Sequence, residues 1–226
     1  MLNGAISKVE YDFGEMLFFV TNPNDTIQRC HAQGKVYEIE DLEEISEFIN
    51  PNGVILDIGA NVGNHSIFWS KQFPKAKIVP FEMYDEVIEI LKVNVALNDC
   101  KNIDTSFLGW ALGDRFALCD VESRHVDNKG LVRAIISESG TVPVRPCDYF
   151  VQTLGVSFIK IDVEGMELQV LNGLSRTIAR CRPVMFVEVD NRNLDRFDSW
   201  LVENKYQEMF KIKRYETNEN RLVVPF

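Results

Sequence analysis

Val54-Ile55-Leu56-Asp57-Ile58-Gly59-Ala60-Asn61-Val62-Gly63 reads as a buried strand ending in a carboxylate, then a turn framed by two glycines, then the start of a helix. Short continuous apolar runs of this kind suit strands of a parallel sheet covered on both faces. The glycines let backbone come close to a ligand, and the helix that opens near Asn64 offers unpaired N–H groups. In an open α/β sheet ligands sit beyond the carboxyl ends of the strands, so a site is expected here.

Outward from this loop, strand and helix alternate. A helix is expected from about Asn64 to Gln72, a strand over Lys77–Phe81, a helix over Asp85–Leu97 and a third strand over Ile103–Leu108. A fourth strand over Val156–Ile161 precedes a helix over Glu167–Ala179. A fifth over Val184–Val189 precedes a helix over Leu194–Asn204. Tyr206–Lys211 and Arg221–Val224, with no helix between them, predict an antiparallel hairpin at the edge of a mostly parallel sheet. Between about 113 and 150 no good helix is read; Phe116–Val121, Leu131–Ile136 and Thr141–Arg145 predict a β insertion between strands three and four. Residues 1–50 read as an N-terminal β/α cap on a main domain of residues 51–226. The cap holds strands such as Glu15–Val20 and Lys35–Ile39, a turn at Asn22-Pro23-Asn24-Asp25, and a helix over Asp41–Ile49 with Asp41 as N-cap.

The loop is not built for phosphate. The dinucleotide fingerprint needs a second glycine where Asn61 stands, no Gly-Lys-Ser/Thr follows, and neither Lys nor Arg is present to offset Asp57. A phosphate-free ligand with a positive end fits better, and S-adenosylmethionine has both a sulfonium and an ammonium. Glu82, closing the second strand, is placed to accept hydrogen bonds from ribose hydroxyls. Met83 beside it suits an adenine face.

Strands four and five end in carboxylates. In Phe158-Ile159-Lys160-Ile161-Asp162-Val163-Glu164-Gly165, alternation puts Lys160, Asp162 and Glu164 on one side, and a lysine in an apolar strand demands an acidic partner. Glu188 and Asp190 bring two more carboxylates to the same rim. The cluster has three readings: a general base for a substrate hydroxyl, a divalent-cation site, or a structural network around Lys160. A metal is not the favoured reading. His65, just after Gly63, faces either the pocket or solvent; His125 lies in the insertion and His31 in the cap.

The bulk composition bounds the rest. With 46% hydrophobic and 26% charged residues, the 226 residues suffice for one sizeable core. The formal net charge of −10 argues against the broad basic face of nucleic-acid binders. No apolar stretch reaches a membrane span and no signal peptide is readable, so a cytoplasmic location is expected. Cys30, Cys100, Cys119, Cys147 and Cys181 are scattered without a CxxC pair, as expected of reduced thiols and not of a zinc site.

Taken with these residues, the chain resembles the FkbM-type family of S-adenosylmethionine-dependent methyltransferases. The resemblance rests on Val54–Ser66, Phe81-Glu82, Ala111-Leu112-Gly113-Asp114, Phe158–Glu167, Val170-Leu171-Asn172-Gly173, and Arg182-Pro183 with Glu188. It implies a seven-stranded Rossmann-like methyltransferase fold. It also implies cofactor contacts from Asp57, Gly59, Ala60, Asn61, Gly63, Asn64, Glu82, Met83 and Asp162, with Trp110 and Ala111 near the adenine. Asp162, Glu164 and His65 are the candidate catalytic residues. Met83 stands where the family usually has proline, and Cys147-Asp148 where it usually has Leu-Asp. The expected reaction is O-methylation of a small-molecule or glycan acceptor, such as a sugar or secondary metabolite. N-methylation of an amine or amino-sugar, and a non-catalytic S-adenosylmethionine-binding module, are the alternatives. Acceptor specificity is expected in residues 1–50, the insertion and the tail after 204.

Overall fold

The computed structural model describes residues 3–123 and 132–226. In chain order the elements are β1 (Ala5–Tyr11), β2 (Gly14–Val20), α1 (Thr26–Ala32), α2 (Ile39–Ser46), β3 (Val54–Ile58), α3 (Asn64–Gln72), β4 (Lys77–Phe81) and α4 (Asp85–Leu97). There follow β5 (Ala111–Leu112), β6 (Ala117–Ser123), β7 (Val132–Ile136), β8 (Val142–Arg145), α5 (Asp148–Val151), β9 (Val156–Ile161), α6 (Glu167–Gly173) and α7 (Ser175–Cys181). The last are β10 (Val184–Asp190), α8 (Leu194–Asn204), β11 (Tyr206–Ile212) and β12 (Asn218–Pro225).

The main sheet has six strands in the order β11-β12-β10-β9-β3-β4, parallel from β10 to β4, with the β11–β12 hairpin antiparallel at its edge. The seven strands implied by the resemblance are thus corrected to six. The run Ile103–Leu108 makes a single parallel bridge, Ile103 to Ile78. Asp104 then turns the chain: its carboxylate accepts from Ser106 N at 3.1 Å and caps a 3-10 turn over Thr105–Phe107. A local side-chain bond of this kind competes with the ladder and here ends it.

Side-chain alternation splits the core between the two faces of this sheet. Leu56, Ile58, Ile159, Ile161, Met185 and Val187 face α6, α7 and α8 through Leu168, Leu171, Ile178, Phe197 and Trp200. Ile55, Ile78, Phe158, Phe186 and Leu222 face the other way, onto Leu42 and Ile45 of α2 and Ile67, Phe68 and Trp69 of α3. Each such side chain contributes about 1.5–3 kcal/mol on burial. Asp57 and Lys160 take the positions of that second face nearest the carboxyl ends, where they are cross-strand neighbours.

The N-terminal region pairs β1 with β2 as a hairpin packed on the same face. Asn94 of α4 and Asn98, its C-cap, cover the backbone of β2, accepting from Phe19 N at 2.7 Å and Leu17 N at 2.9 Å. Of Lys35–Ile39, expected as a strand, residues 35–38 are irregular and Ile39 begins α2, whose N-cap is Glu38. Asp41, expected to cap that helix, instead pairs with Arg214. The turn at Asn22–Asp25 does form, and Asp25 caps α1, a helix that the sequence reading missed.

The insertion forms a separate four-stranded sheet, β5-β8-β6-β7. Its inner residues Ala111, Cys119 and Val144 pack with Met83, so this sheet leans over the end of β4. His125 and Leu131 lie outside the described residues. The helix expected over Glu167–Ala179 breaks after Gly173, where a Cβ would stand 2.0 Å from Gly113 O. The missing side chain of Gly173 admits that close approach of the two backbones. Among the described residues no helix is long and apolar enough to cross a membrane.

Candidate active site

The glycine loop is fixed from both sides. Gly59 N and Ala60 N both donate to Phe81 O, at 2.9 and 3.0 Å, tying the end of β3 to the end of β4. Gly59 has φ +78, and a Cβ there would meet Asp162 O at 1.8 Å. Only glycine allows β3 and β9 to converge like this. Asn61 is also left-handed (φ 50), a conformation asparagine tolerates better than most residues, and its side chain accepts from Val62 N at 2.8 Å.

Glu82 is half-buried against this loop. Its Oε2 accepts from Asn61 N at 2.9 Å, and its Oε1 from Met83 N at 2.7 Å and Tyr84 N at 3.0 Å. Burial raises its pKa, and the three backbone donors oppose that rise. An ionised carboxylate has about four acceptor sites. With two bonds on Oε1 and one on Oε2, a place remains on Oε2 for a hydroxyl of a ligand.

Lys160 organises the centre. It is buried, and its Nζ donates to Gly59 O at 3.0 Å and Asp162 Oδ2 at 3.2 Å, with Asp57 Oδ1 at 3.7 Å. Burial alone would lower its pKa; the charges of Asp162, Asp57 and Glu38 outweigh burial and raise it. Asp57 is fully buried beneath the loop, where Ser66 Oγ donates to its Oδ2 at 2.6 Å. It therefore supports the loop from below, outside the pocket lining.

Asp162, Glu164 and Glu188 bring one carboxylate oxygen each within 4.8 Å of the others. Three carboxylates this close cannot all ionise cheaply. Burial would raise Asp162, but Lys160 and a hydrogen bond from Glu188 hold it below the usual range. Burial, followed by the charges of Asp162 and Glu164, drives Glu188 upward. The two carboxyl groups are thus pushed in opposite directions, Asp162 downward and Glu188 upward. Glu164 and Gly165 are left-handed in succession (φ 51 and 94), a costly conformation for glutamate that turns its side chain back to the pocket.

A pocket of about 650 Å³, counting its open mouth, runs from Glu82 to Glu164. Of the expected site residues, Gly59, Asn61, Glu82, Met83, Trp110, Ala111, Asp162 and Glu164 line it, joined by Val132 and Ala134 from the insertion. Ala60 is buried behind the loop and Gly63 caps α3. Asn64 and His65 are buried and face the N-terminal region: Asn64 bonds the backbone of Tyr37, and His65 Nε2 stands 3.5 Å from Glu38 Oε2. Glu38 and Tyr37 were missed as partners of this network; no local motif marks them. Phe107 and Phe150 pack into the main core, whereas Phe116 and Tyr149 are 61% and 60% exposed. All five cysteines are free.

The arrangement fits S-adenosylmethionine. A glycine cradle that a Cβ would fill, an acceptor site left on Glu82, a partly apolar lining and the Asp162 carboxylate match its backbone approach, ribose, adenine and positive end.

The comparisons place these features in a family. AMB antimetabolite synthetase AmbE of Pseudomonas aeruginosa is 26% identical over a segment covering 63% of this chain and 9% of that protein. The chain spans less than a fifth of the length of the curated relatives it matches. Among solved structures, the methyltransferase FkbM of Methylobacillus flagellatus KT superposes with a TM-score of 0.55 at 16% identity, covering 86% of this chain and 52% of that one. An rRNA methylase from Streptococcus thermophilus superposes with a TM-score of 0.52 at 9% identity, covering 82% and 93%. A protein of this fold thus acts on RNA, so the exclusion of nucleic acid drawn from net charge is not supported. Residues 57–215 match the Methyltransferase FkbM domain family along their whole run. The chain belongs to the FkbM methyltransferase family.

Proposed function

We propose that this chain transfers the methyl group of S-adenosylmethionine to a hydroxyl oxygen of a small acceptor, a sugar or secondary metabolite. The observation that carries the reading is the carboxylate set at the strand ends, with Asp162 accepting from Lys160 Nζ at 3.2 Å and Glu164 and Glu188 each within 4.8 Å of it. The division into a cap of residues 1–50 and a transfer domain of residues 51–226 belongs to the same reading.

When bound, S-adenosylmethionine supplies a methyl group already activated by its sulfonium. Glu82 would hold the ribose with its remaining acceptor site, and Met83 and Trp110, which line the same pocket, would contact the adenine. Asp162 lines the same pocket as Glu82, and its carboxylate would favour the positive end of the cofactor. Its carboxylate would accept the hydrogen bond of the acceptor hydroxyl, aim the oxygen in line, and take the proton as the oxygen–methyl bond forms and the sulfur–methyl bond breaks, its electron pair returning to sulfur in S-adenosylhomocysteine. Because Lys160 keeps Asp162 below the ordinary carboxylate range, it is a weak base. Positioning, which provides effective molarities of about 10⁵–10⁸ M, then outweighs base catalysis at about 10²–10⁴-fold.

The test begins with calorimetry: S-adenosylhomocysteine should bind with micromolar affinity, and its failure to bind would remove the reading. Tritiated S-adenosylmethionine is then offered with glycosides, polyketide-like alcohols and their amine counterparts. Label should appear on alcohols and fall about 10²–10⁴-fold in Asp162→Asn. Label on amines alone would replace O-methylation with N-methylation. No label anywhere, with binding intact, would leave a binding module.

A further inference from the structure

Two segments far apart in sequence meet at the rim beside Asp162 and Glu188, outside the pocket described above. The turn between β11 and β12, residues 213–217, projects from this rim. Asn218 pairs with Asp190 at the end of β10, and Asn191 N donates to Thr217 O at 2.9 Å. From there the turn crosses to the N-terminal region. Arg214 donates to both oxygens of Asp41 and stands 3.8 Å from Glu40, and the hydroxyls of Tyr215 and Tyr37 lie 3.0 Å apart.

Tyr37-Glu38 is in turn held on the start of α3. Asn64 Oδ1 accepts from Tyr37 N at 3.1 Å, and Asn64 Nδ2 donates to Tyr37 O at 2.9 Å, a clamp on both backbone groups of one residue. His31 Nε2 braces the same Oδ1 at 2.8 Å. His65 pairs with Glu38, which is fixed in a left-handed conformation at φ 56. The two residues that follow the glycine loop therefore aim the segment before α2. Burial first, then the charge of Glu38, then the hydrogen bond to Tyr215, and last the charge of Asp162, raise the pKa of the Tyr37 hydroxyl.

We propose that Tyr37 and Tyr215 form the wall at the acceptor end of the site and limit the size of group that reaches the methyl carbon, with Asn64 and His65 as the positioning residues that hold Tyr37 in that wall. The inference rests on the methyl-transfer reading. A hydroxyl-to-hydroxyl tyrosine pair across two segments far apart in sequence presents polar tips and flat faces, suited to a ring bearing hydroxyls.

The test needs no known acceptor. Nitrogen-for-sulfur analogues of S-adenosylmethionine bearing a methyl or a benzyl group on that nitrogen are titrated by calorimetry, with S-adenosylhomocysteine as control. The wild-type chain should bind the benzyl analogue at least about tenfold more weakly than the methyl one. Tyr37→Ala and Tyr215→Ala should shrink that gap to about threefold or less, leaving S-adenosylhomocysteine affinity within about twofold. Asn64→Ala should shrink the gap likewise with both tyrosines intact, which a residue that merely stabilises the fold would not do. No gap in the wild type, or an unchanged gap in Tyr215→Ala, which alters an exposed side chain, overturns the wall. Loss of S-adenosylhomocysteine binding in the wild type would instead overturn the methyl-transfer reading.

Discussion

Replacing Glu188 by Gln tests whether this side chain holds a proton at neutral pH. In the folded chain burial, then the charges of Asp162 and Glu164, raise its pKa from 4.5 to about 10. Between those values the unfolded chain has released a proton that the folded chain keeps. The unfolded state then binds fewer protons, so stability falls as pH rises, by about 1.4 kcal/mol per pH unit for one whole proton. Asp162 adds nothing to this slope above about pH 5, because its lowered pKa leaves it ionised in both states. From pH 5 to 8 the limit is about 4 kcal/mol, and solvent at a half-buried group reduces it to roughly 2 kcal/mol. Gln has no proton to lose. Glu188→Gln should therefore gain about 2 kcal/mol on the wild type between pH 5 and pH 8, or about 4–8 °C in Tm for a chain of this size. Urea unfolding at pH 5, 6, 7 and 8, followed by tryptophan fluorescence, measures the difference. Parallel curves for the two proteins would refute the protonated Glu188 and with it the paired-carboxylate mechanism.

Two further substitutions probe the loop. Lys160→Met leaves Asp57 and Asp162 without their counter-charge and should cost about 3–5 kcal/mol, more at pH 8 than at pH 5; a wild-type Tm in thermal unfolding would contradict this. Gly59→Ala puts a Cβ 1.8 Å from Asp162 O and a side chain at φ +78, so S-adenosylhomocysteine affinity should drop at least about tenfold, 1.4 kcal/mol. Calorimetry showing wild-type affinity would mean that the loop relaxes freely.

The parallel sheet and its helices were legible because their signals are local. Asp85–Leu97 and Leu194–Asn204 declare themselves by periodicity, and the glycine loop by its spacing. Ile103–Leu108 misled because its apolar residues mimic a strand, while the deciding contact is one carboxylate reaching two residues ahead. At the site, Glu82 and Asp162 could be located by their place at strand ends. The states of Asp162 and Glu188 could not, since they depend on side chains from adjacent strands meeting in a buried rim. Asn64 and His65 illustrate the same limit. Their position after Gly63 suggested a ligand, yet their partners Tyr37 and Glu38 come from a segment before α2. Nothing in the residues near Tyr215 announces a neighbour 178 positions away.

The strand order has a consequence for assembly. β12 follows β11 in sequence but lies between β11 and β10. Until β12 inserts, β10 shows an open row of N–H and C=O groups, a hazard for pairing with other chains. On a ribosome, β3, β4 and β9 with Glu82 and Asp162 emerge well before Asn218 can dock against Asp190. Only that late docking fixes both ends of the turn that carries Tyr215. A nascent chain would thus hold the pocket residues of β3, β4 and β9 while the turn that carries Tyr215 was still unpaired.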